Sequence, residues 1–268
     1  MKLRHLIPVT VILLSTASCE KELDFKYHDI APLTVIEGIM SPDEVRVGLT
    51  LTTPMDEPMD LSRLTDATVC VEDLNNGNVE ILSVDSEGYY STSTGGSVGH
   101  NYRLTVERSG SKYQAVAAMY GPVEIVSVEF NWIKMPYDHV AVLQCKFTDD
   151  ADTEGDCYWV KIYRNGEIYR WIQTDDRSKV DGLCSVTFMT TRKDTGEEDD
   201  DDVLYDGDVV TCSVSRISRL MYEYLEALGN NSNGPAMYEG DQCLGYFMAT
   251  STVEKSIEFK PDEIPFYN

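Results

Sequence analysis

A glycine-rich segment carries the residues best suited to nucleophilic chemistry. Gly95-Gly96-Ser97-Val98-Gly99, followed by His100, matches the Gly-x-Ser-x-Gly pattern of hydrolase nucleophile turns. That mechanism requires a strand before the serine and a helix after it, at the top of a large sheet. Here residues 101–106 have a strand-like pattern instead. We therefore interpret the segment as a glycine turn, and we predict no catalytic residues and no enzymatic activity.

Metal-ligand spacing is also lacking. After residue 18, histidine occurs only at positions 28, 100 and 139, and no close His or Cys pair has the spacing of a zinc site. The densest acidic run is Glu197 to Asp202, with Asp206 and Asp208 close behind. Such a block repels itself and favours a solvated loop, with calcium binding as the alternative. We predict no metal and no cofactor.

The cysteines raise the question of disulfides. Six remain besides Cys19, with Cys70 in the first predicted domain and five in the second. Six cysteines allow fifteen pairings, and an oxidising compartment would permit any of them. Cys184 and Cys212 flank the acidic loop, on what we expect to be neighbouring strands, so they are the first choice for a disulfide. Buried, reduced thiols are the alternative.

One hairpin has the composition of a recognition surface. Asn165-Gly166 is a strong turn signal between two apolar runs, and a two-residue loop would pair Val160 with Trp171. The other face would then hold a candidate recognition set of Trp159, Lys161, Tyr163 and Arg170. Such residues favour binding hot spots. Core packing beneath a covering element is the commoner role, because monomers seldom expose large apolar patches.

The sequence pattern predicts that these candidate residues are held by a scaffold made mainly of strands. Short β-branched runs separated by turn residues continue from Leu33 to Gly121, which suits a small sandwich. After Pro122 further strands follow, with one amphipathic helix predicted at 216–228 and capped by Ser215 or Ser218. We expect this helix to cover the second face of the Asn165-Gly166 hairpin. The predicted fold is mainly β, with a β-sandwich at 33–121 and a second β-rich domain at 122–268.

Charge excludes one class of partner. The 268 residues include 46 acidic and 22 basic side chains, for a net charge of −24. A surface with this excess of acid repels nucleic acid and anionic lipid. The protein is therefore not predicted to bind nucleic acid.

The N-terminus resembles a bacterial lipoprotein signal. Residues 1–18 have a basic start, an apolar run from Leu6 to Leu14 and small residues before Cys19. This is the order of a secretory signal peptide, and the run is too short to span a bilayer. The lipobox resemblance implies that cleavage leaves Cys19 lipidated, with 19–32 as a tether. The alternative is a soluble secreted protein in which Cys19 is incidental.

Further segments resemble an uncharacterised Bacteroidetes outer-membrane lipoprotein family known only as a domain of unknown function. They are Cys19–Asp24, Thr34–Ile39, Asp206-Gly207, Ser218–Leu225 and Leu244–Phe247. The resemblance implies an immunoglobulin-like, carboxypeptidase-regulatory-like or prealbumin-like N-terminal sandwich. The acidic segment after Cys19 resembles the signal for export to the cell exterior. A tether facing the periplasm is the alternative.

The resemblance also implies a role beside a TonB-dependent outer-membrane receptor. On this basis we expect a surface-anchored, non-enzymatic lipoprotein that contributes to nutrient uptake by binding a ligand still to be identified. The alternative is a structural, fimbria-like adhesion component of the cell surface.

Overall fold

The computed structural model describes residues 31–54, 57–58, 60–135, 139–149, 153–191, 203–232 and 234–266. Strands dominate this part of the chain, which confirms the mainly β prediction. The predicted signal peptide, the predicted lipidation site Cys19 and the acidic run at 197–202 lie outside the described residues. No helix in the described ranges is long and apolar enough to cross a membrane.

The first sandwich is built from a sheet of ten strands. Their order is β4-β3-β7-β8-β16-β1-β2-β6-β5, and β15 pairs with β8. Strand β8 joins the two halves, because it pairs with β7 along its length and with β16 at Met119 and Tyr120. The strands are β1 (Thr34–Met40), β2 (Val45–Leu51), β3 (Thr68–Asp73), β4 (Val79–Ile81), β5 (Ser83–Val84), β6 (Tyr90–Thr92), β7 (Asn101–Arg108), β8 (Ser111–Tyr120), β15 (Glu239–Gly240) and β16 (Cys243–Thr250).

Apolar side chains from both halves of this sheet share one core. Alternation along β1, β2 and β7 places Ile36, Leu49 and Leu104 there, and none of the three is exposed to solvent. Phe247 of β16 belongs to the same core and is 4% exposed. The two halves of this sheet therefore pack face to face as a sandwich, and one of its strands, β16, comes from near the C-terminus.

Strand β16 crosses the predicted domain division. The change from the first to the second sandwich falls between β8 and β9, where Gly121–Pro122 predicted a boundary. Residues 243–250, however, return to the first sandwich and pair in parallel with β1, Ile36 opposite Gly245. Strand β17 (Thr252–Glu258) then follows after Ser251 and pairs with β14 (Val209–Ile217) in the second sandwich. The chain thus passes between the two sandwiches more than once.

The second sandwich has a three-stranded sheet, β13-β10-β9, facing a four-stranded sheet, β12-β11-β14-β17. Its core includes Phe147, Val160 and Val214, all with no exposure to solvent. The strands are β9 (Ile125–Lys134), β10 (His139–Thr148), β11 (Cys157–Arg164), β12 (Glu167–Asp175), β13 (Leu183–Thr191), β14 (Val209–Ile217) and β17 (Thr252–Glu258). A short 3-10 helix, Asp176–Ser178, follows β12.

Helix α1 (Arg219–Gly229) starts three residues later than the predicted 216–228, because Arg216 and Ile217 still belong to β14. The Ser218 hydroxyl caps it by accepting a hydrogen bond of 3.1 Å from the Met221 amide. Its buried residues, Met221 and Leu225, pack against the outer side of β11. The helix covers the hairpin as predicted.

A β-bulge changes the register of this hairpin. Tyr163 lies opposite Ile168, but Ile162 lies opposite Arg170, so one residue of β12 is skipped. A slip of one residue exchanges the two faces of a strand. Ile172, rather than Trp171, therefore lies opposite Val160 in the core, and Trp171 lies opposite Lys161. The predicted two-residue register is wrong beyond the bulge.

Candidate functional site

A third apolar cluster lies where the two sandwiches and helix α1 meet. It joins side chains from the outer face of β11, from α1 and from β16. Its buried members are Cys157, Trp159, Ile217, Met221, Leu225 and Met248, and Ile39, Trp171, Tyr224 and Tyr246 pack against them. We call this set the junction cluster. It fixes the first sandwich against the second.

Trp159 is central to the junction cluster. It is 8% exposed, and its ring packs edge-on against Trp171 and Tyr246 at centroid distances of 6.3 and 6.0 Å. Its indole N–H has no hydrogen-bond partner among the described residues. This position is that of a packing residue. Core packing was the alternative to the recognition role expected from the sequence.

Two other members of the predicted recognition set remain beside Trp159. The Lys161 Nζ atom lies 4.7 Å from the Trp159 ring centroid and 5.9 Å from that of Tyr163. Arg170 is separated from them because the bulge puts it opposite Ile162, and its guanidinium lies 5.0 Å from the Tyr169 ring. The structure therefore brings together Trp159, Lys161 and Tyr163, but not Arg170.

A groove opens beside the junction cluster, on the first sandwich. Its cavity has a volume of about 300 Å³. It is lined by Glu37, Ile39, Ser41, Glu44, Arg46, Arg63, Tyr89 and Tyr246. Ile39 and Tyr246 belong to both the groove and the junction cluster. Ligand sites often lie at such junctions between domains. We call this feature the junction groove.

Two guanidinium groups lie against one aromatic ring in the groove. The Cζ atoms of Arg46 and Arg63 are 3.7 and 4.0 Å from the Tyr89 ring centroid, a cation–π arrangement. Arg46 is paired with Glu87 and lies 3.9 Å from Asp85. Arg63 donates a hydrogen bond to the Tyr89 hydroxyl and has no carboxylate partner in the part of the chain that the structure describes. The charge of Arg63 is thus available to a ligand.

Local backbone features place these side chains. Asp85 accepts hydrogen bonds from the amides of Glu87, at 2.9 Å, and Tyr89, at 3.0 Å, which fixes the turn before β6. On β2, a β-carbon at Gly48 would lie 2.6 Å from Arg63 Nη1 and 3.1 Å from Tyr89 Cε1. The glycine thus leaves the space that Arg63 and the Tyr89 ring occupy.

The opposite charge also lines the groove. Glu37 is exposed on β1 and Glu44 is exposed just before β2. Neither has an ion-pair partner among the residues described. Burial, together with the nearby charge of Glu37, raises the pKa of Tyr246, so this phenol stays neutral at physiological pH. Among the described residues, the groove therefore combines two carboxylates and one guanidinium that have no ion-pair partner with a half-buried phenol.

A separate acidic cluster lies in the second sandwich. Carboxylate oxygens of Asp149, Asp156 and Asp176 lie within 4.8 Å of one another. The Lys179 ammonium donates to Asp149 at 2.6 Å and lies 3.7 Å from Asp176, while Arg216 pairs with Asp156. Lys179 thus supplies the positive charge that a metal ion would bring. This cluster ties the start of β11 to the 3-10 helix.

Asp175, next to this cluster, binds two arginines. Burial alone would raise its pKa, but hydrogen bonds from Arg177 and Arg219 outweigh that effect and lower the pKa below its ordinary value. The Oδ2 atom lies 2.8 Å from Arg177 Nε and 3.3 Å from Arg219 Nη1. The carboxylate therefore anchors the start of α1 to β12.

The serine motif does not form a nucleophile turn. Strand β7, not a helix, follows Ser97. His100 Nδ1 lies 2.8 Å from Asp73 Oδ2, but Ser97 is exposed, and its hydroxyl makes no hydrogen bond to His100 among the described contacts. Its amide instead donates to the Tyr102 hydroxyl at 2.7 Å. These residues organise the turn before β7.

The cysteines predicted to pair lie in different sheets. Cys184 is on β13 and Cys212 on β14, so they are not on neighbouring strands. Both thiols are free in the structure. The acidic loop between them is described only from Val203 onward, where Asp208 binds Arg164 at 2.8 Å and the Tyr205 amide at 2.8 Å. Asp208 therefore has a structural role.

The sequence did not identify Arg46, Arg63, Tyr89 or Tyr246 as site residues. They come from four separate segments that are brought together by strand pairing and by one loop. Gly48 gave a signal, because glycine inside a β-branched run indicates a close approach by another group. That signal does not say which side chain approaches.

Comparisons with known proteins add little. No protein-family model matches the sequence, and no curated protein matches it. Two solved structures that are similar in part are the FN1–FN3 domains of chicken CNTN1 and a two-domain fibronectin type III segment of chicken tenascin. The first has a TM-score of 0.27 at 10% identity and covers 85% of this chain and 66% of that one. The second has a TM-score of 0.26 at 10% identity and covers 85% of this chain and 100% of that one. Scores this low carry no argument about function, and the sandwich assignment rests on the strand pairing.

Proposed function

We propose that this protein is a non-enzymatic, surface-anchored lipoprotein that binds a small ligand in the junction groove and delivers it to a TonB-dependent outer-membrane receptor. The observation that carries the binding role is the groove itself. Its cavity of about 300 Å³ holds charged groups of both signs, among them the guanidinium of Arg63, which has no carboxylate partner among the described residues. The anchor and the receptor are proposed from the sequence of the N-terminus and from the family resemblance.

The chemistry of the groove suits a small zwitterion. Glu37 and Glu44 provide acceptors for an ammonium group, and Arg63 provides a fork of donors for a carboxylate. Ile39 and Tyr246 offer apolar contact between these groups. An amino acid or a dipeptide combines the same features in a volume that fits. A nutrient peptide is therefore the ligand class we propose.

Calorimetric titration with the dipeptide Leu-Leu tests the ligand class. We expect saturable heat in the wild type and an affinity at least about tenfold lower in Arg63→Ala or Glu37→Gln, since one hydrogen bond to a charged group contributes about 1.5–3 kcal/mol. Arg103→Ala is the matched control, because Arg103 of β7 is paired with Glu72 of β3, outside the groove. Equal affinity in all four proteins, or no heat with Leu-Leu, would reject the zwitterion site.

Metabolic labelling with radioactive palmitate tests the anchor. The full-length protein should incorporate label and partition with membranes, whereas Cys19→Ser should do neither. Labelling of the Cys19→Ser variant would place the lipid elsewhere. Protease treatment of whole cells then shows which side of the outer membrane the protein faces, because only a protein on the cell exterior is digested.

Capture of the native lipidated protein from detergent-solubilised outer membranes tests the partner. We expect one TonB-dependent receptor to co-purify in a defined ratio. If no β-barrel receptor is recovered at any protein concentration, the uptake role fails, while the ligand site stays testable by calorimetry.

One observation favours the alternative role in adhesion. Strand β4 is at the end of the ten-stranded sheet, and its Val79 and Ile81 side chains are 59% and 71% exposed. An apolar edge strand can accept a strand from another molecule. This alternative predicts heat-stable polymers on the cell surface that Ile81→Lys prevents. A monomer by light scattering at high concentration contradicts it.

A further inference from the structure

Two cysteines face each other across the core of the second sandwich. Cys145 lies on β10, the central strand of the three-stranded sheet, and Cys212 lies on β14, an inner strand of the four-stranded sheet. Both are 0% exposed and belong to the same core. Alternation along the strands puts Phe147 and Val210 on the same inward faces. Each sheet therefore directs one thiol into the shared interior.

Each thiol is the largest single influence on the pKa of the other. The neighbouring thiol lowers the pKa of Cys145 and raises that of Cys212, and burial raises the latter further. Two buried thiols that face each other from opposite sheets of one packed core can join after side-chain rotations.

The other cysteines have no comparable partner. Burial raises the pKa of Cys184 to about 11, and the groups next in influence are the carboxylates Asp149 and Asp176 rather than another thiol. Cys157 lies in the junction cluster, on the opposite face of β11 from the core. Cys70 and Cys243 belong to strands of the first sandwich. Among the described cysteines, Cys145 and Cys212 are therefore the pair that faces one shared core from two sheets with each thiol influencing the other.

We propose that Cys145 and Cys212 form a disulfide bond that ties the two sheets of the second sandwich together. The bond replaces the Cys184–Cys212 pairing expected from the sequence, because Cys212 has only one sulfur to share. An inter-sheet bridge of this kind is compatible with a sandwich, as immunoglobulin domains demonstrate. The proposal concerns stability and redox state, and it does not depend on the ligand of the junction groove.

The chemistry is thiol–disulfide exchange with a disulfide-containing oxidant. One cysteine thiolate attacks the oxidant disulfide, forming a mixed disulfide and releasing one thiolate of the oxidant. The second cysteine thiolate then attacks the protein sulfur of that mixed disulfide and releases the other thiolate. The two cysteines lose two electrons and two protons, and the oxidant is reduced to two thiols. Because both sulfurs are inaccessible in the folded protein, we expect the bond to form during folding.

Peptide mapping tests the bond directly. The full chain is denatured, reduced, refolded in a mixture of reduced and oxidised glutathione, alkylated and digested without reductant. We expect one linked peptide pair containing positions 145 and 212, with the other described cysteines alkylated. Free thiols at both positions, or a linked pair that includes Cys184, would overturn the proposal.

Thermal unfolding supplies an independent measurement. Cross-linking a loop of about 70 residues should raise the melting temperature by roughly 10 °C in a chain of this size. Because the bond would be buried, each protein is unfolded and refolded with or without a reductant before the measurement. The reductant should remove the increment from the wild type and from the control Cys184→Ala. Cys145→Ala and Cys212→Ala lack the increment and should not respond. An equal response of all four proteins to the reductant refutes the proposal. If a variant does not fold, peptide mapping of the wild type still decides.

Discussion

Replacing Trp159 by alanine tests whether the junction cluster holds the two sandwiches together. Trp159 is 8% exposed and contacts Trp171 of the same hairpin and Tyr246 of β16 in the first sandwich. Truncation removes the whole indole and leaves a cavity that the surrounding strands cannot close, because β11 and β16 are each fixed in their own sheets. The free energy of unfolding should therefore fall substantially.

The magnitude follows from burial. Truncating a buried tryptophan costs about 3–5 kcal/mol, and the edge-on contacts with two rings place this site in the middle of that range. With a urea m-value of about 2.5 kcal/mol/M, a loss of about 4 kcal/mol lowers the unfolding midpoint by roughly 1.6 M. Circular dichroism and the fluorescence of the two remaining tryptophans, Trp132 and Trp171, should report the change.

Ile168→Ala is the matched control, since Ile168 lies on the same hairpin but is 59% exposed. Its free energy of unfolding should stay within about 0.5 kcal/mol of the wild type. A loss below about 1 kcal/mol in Trp159→Ala would refute the packing role. A recognition role for the face of β11 that carries Trp159 would then be the better interpretation.

Three further predictions concern the fold. Phe247→Ala should lower the free energy of unfolding of the first sandwich by about 3–5 kcal/mol, because Phe247 is 4% exposed in its core; an unchanged urea midpoint would remove β16 from that core. Gly245→Ala should prevent native folding, since its β-carbon would lie 2.0 Å from the Ile36 carbonyl oxygen. In the control Gly77→Ala the new β-carbon meets nothing within 4 Å, so this variant should lose only about 1–2 kcal/mol of stability for its positive φ. Comparable circular dichroism and melting curves for the two variants would contradict this. The lowered pKa of Asp175 means that its carboxylate stabilises the fold above the ordinary pKa of about 4 and loses this effect as pH falls through the lower folded value. Asp175→Asn should therefore be less stable than the wild type at pH 7, and the gap should narrow as the pH falls below the ordinary carboxyl pKa and through the lower folded value. Urea curves that keep the same gap in neutral and in strongly acidic solution would contradict the assignment.

Local patterns were enough to predict the strands and the helix, because alternation and capping are encoded within a few residues. The Ser218 cap and the apolar stripe containing Met221 and Leu225 act within one or two turns. The Asn165-Gly166 turn also formed where expected. The register of the hairpin is not encoded within a few residues. The bulge after Ile168 depends on which side chains of β12 pack in the core and which pack outside it. Ile172 fills the space beside Val160, and Trp171 packs outside with the junction cluster.

The position of β16 could not be predicted from local patterns. It pairs with β1 across about 200 residues of sequence, and no turn links the two strands. The junction groove depends on the same pairing, because β16 brings Tyr246 beside Ile39 and Glu37 of β1. A site assembled from long-range partners leaves only indirect traces in the sequence, such as Gly48 beneath Arg63.

The chain path makes the junction groove a preformed site. Only Ser251 separates β16 in the first sandwich from β17 in the second, and its amide donates to the Tyr120 carbonyl at 2.9 Å. Beside it, the Thr250 hydroxyl donates to the Arg216 carbonyl at 2.8 Å, which joins β16 to β14. A hinge between the sandwiches would have to break the Thr250–Arg216 hydrogen bond and separate Trp159 from Tyr246. Binding of the ligand proposed above should therefore cost little conformational entropy, and we expect selection by fixed charge and size rather than by closure around the ligand.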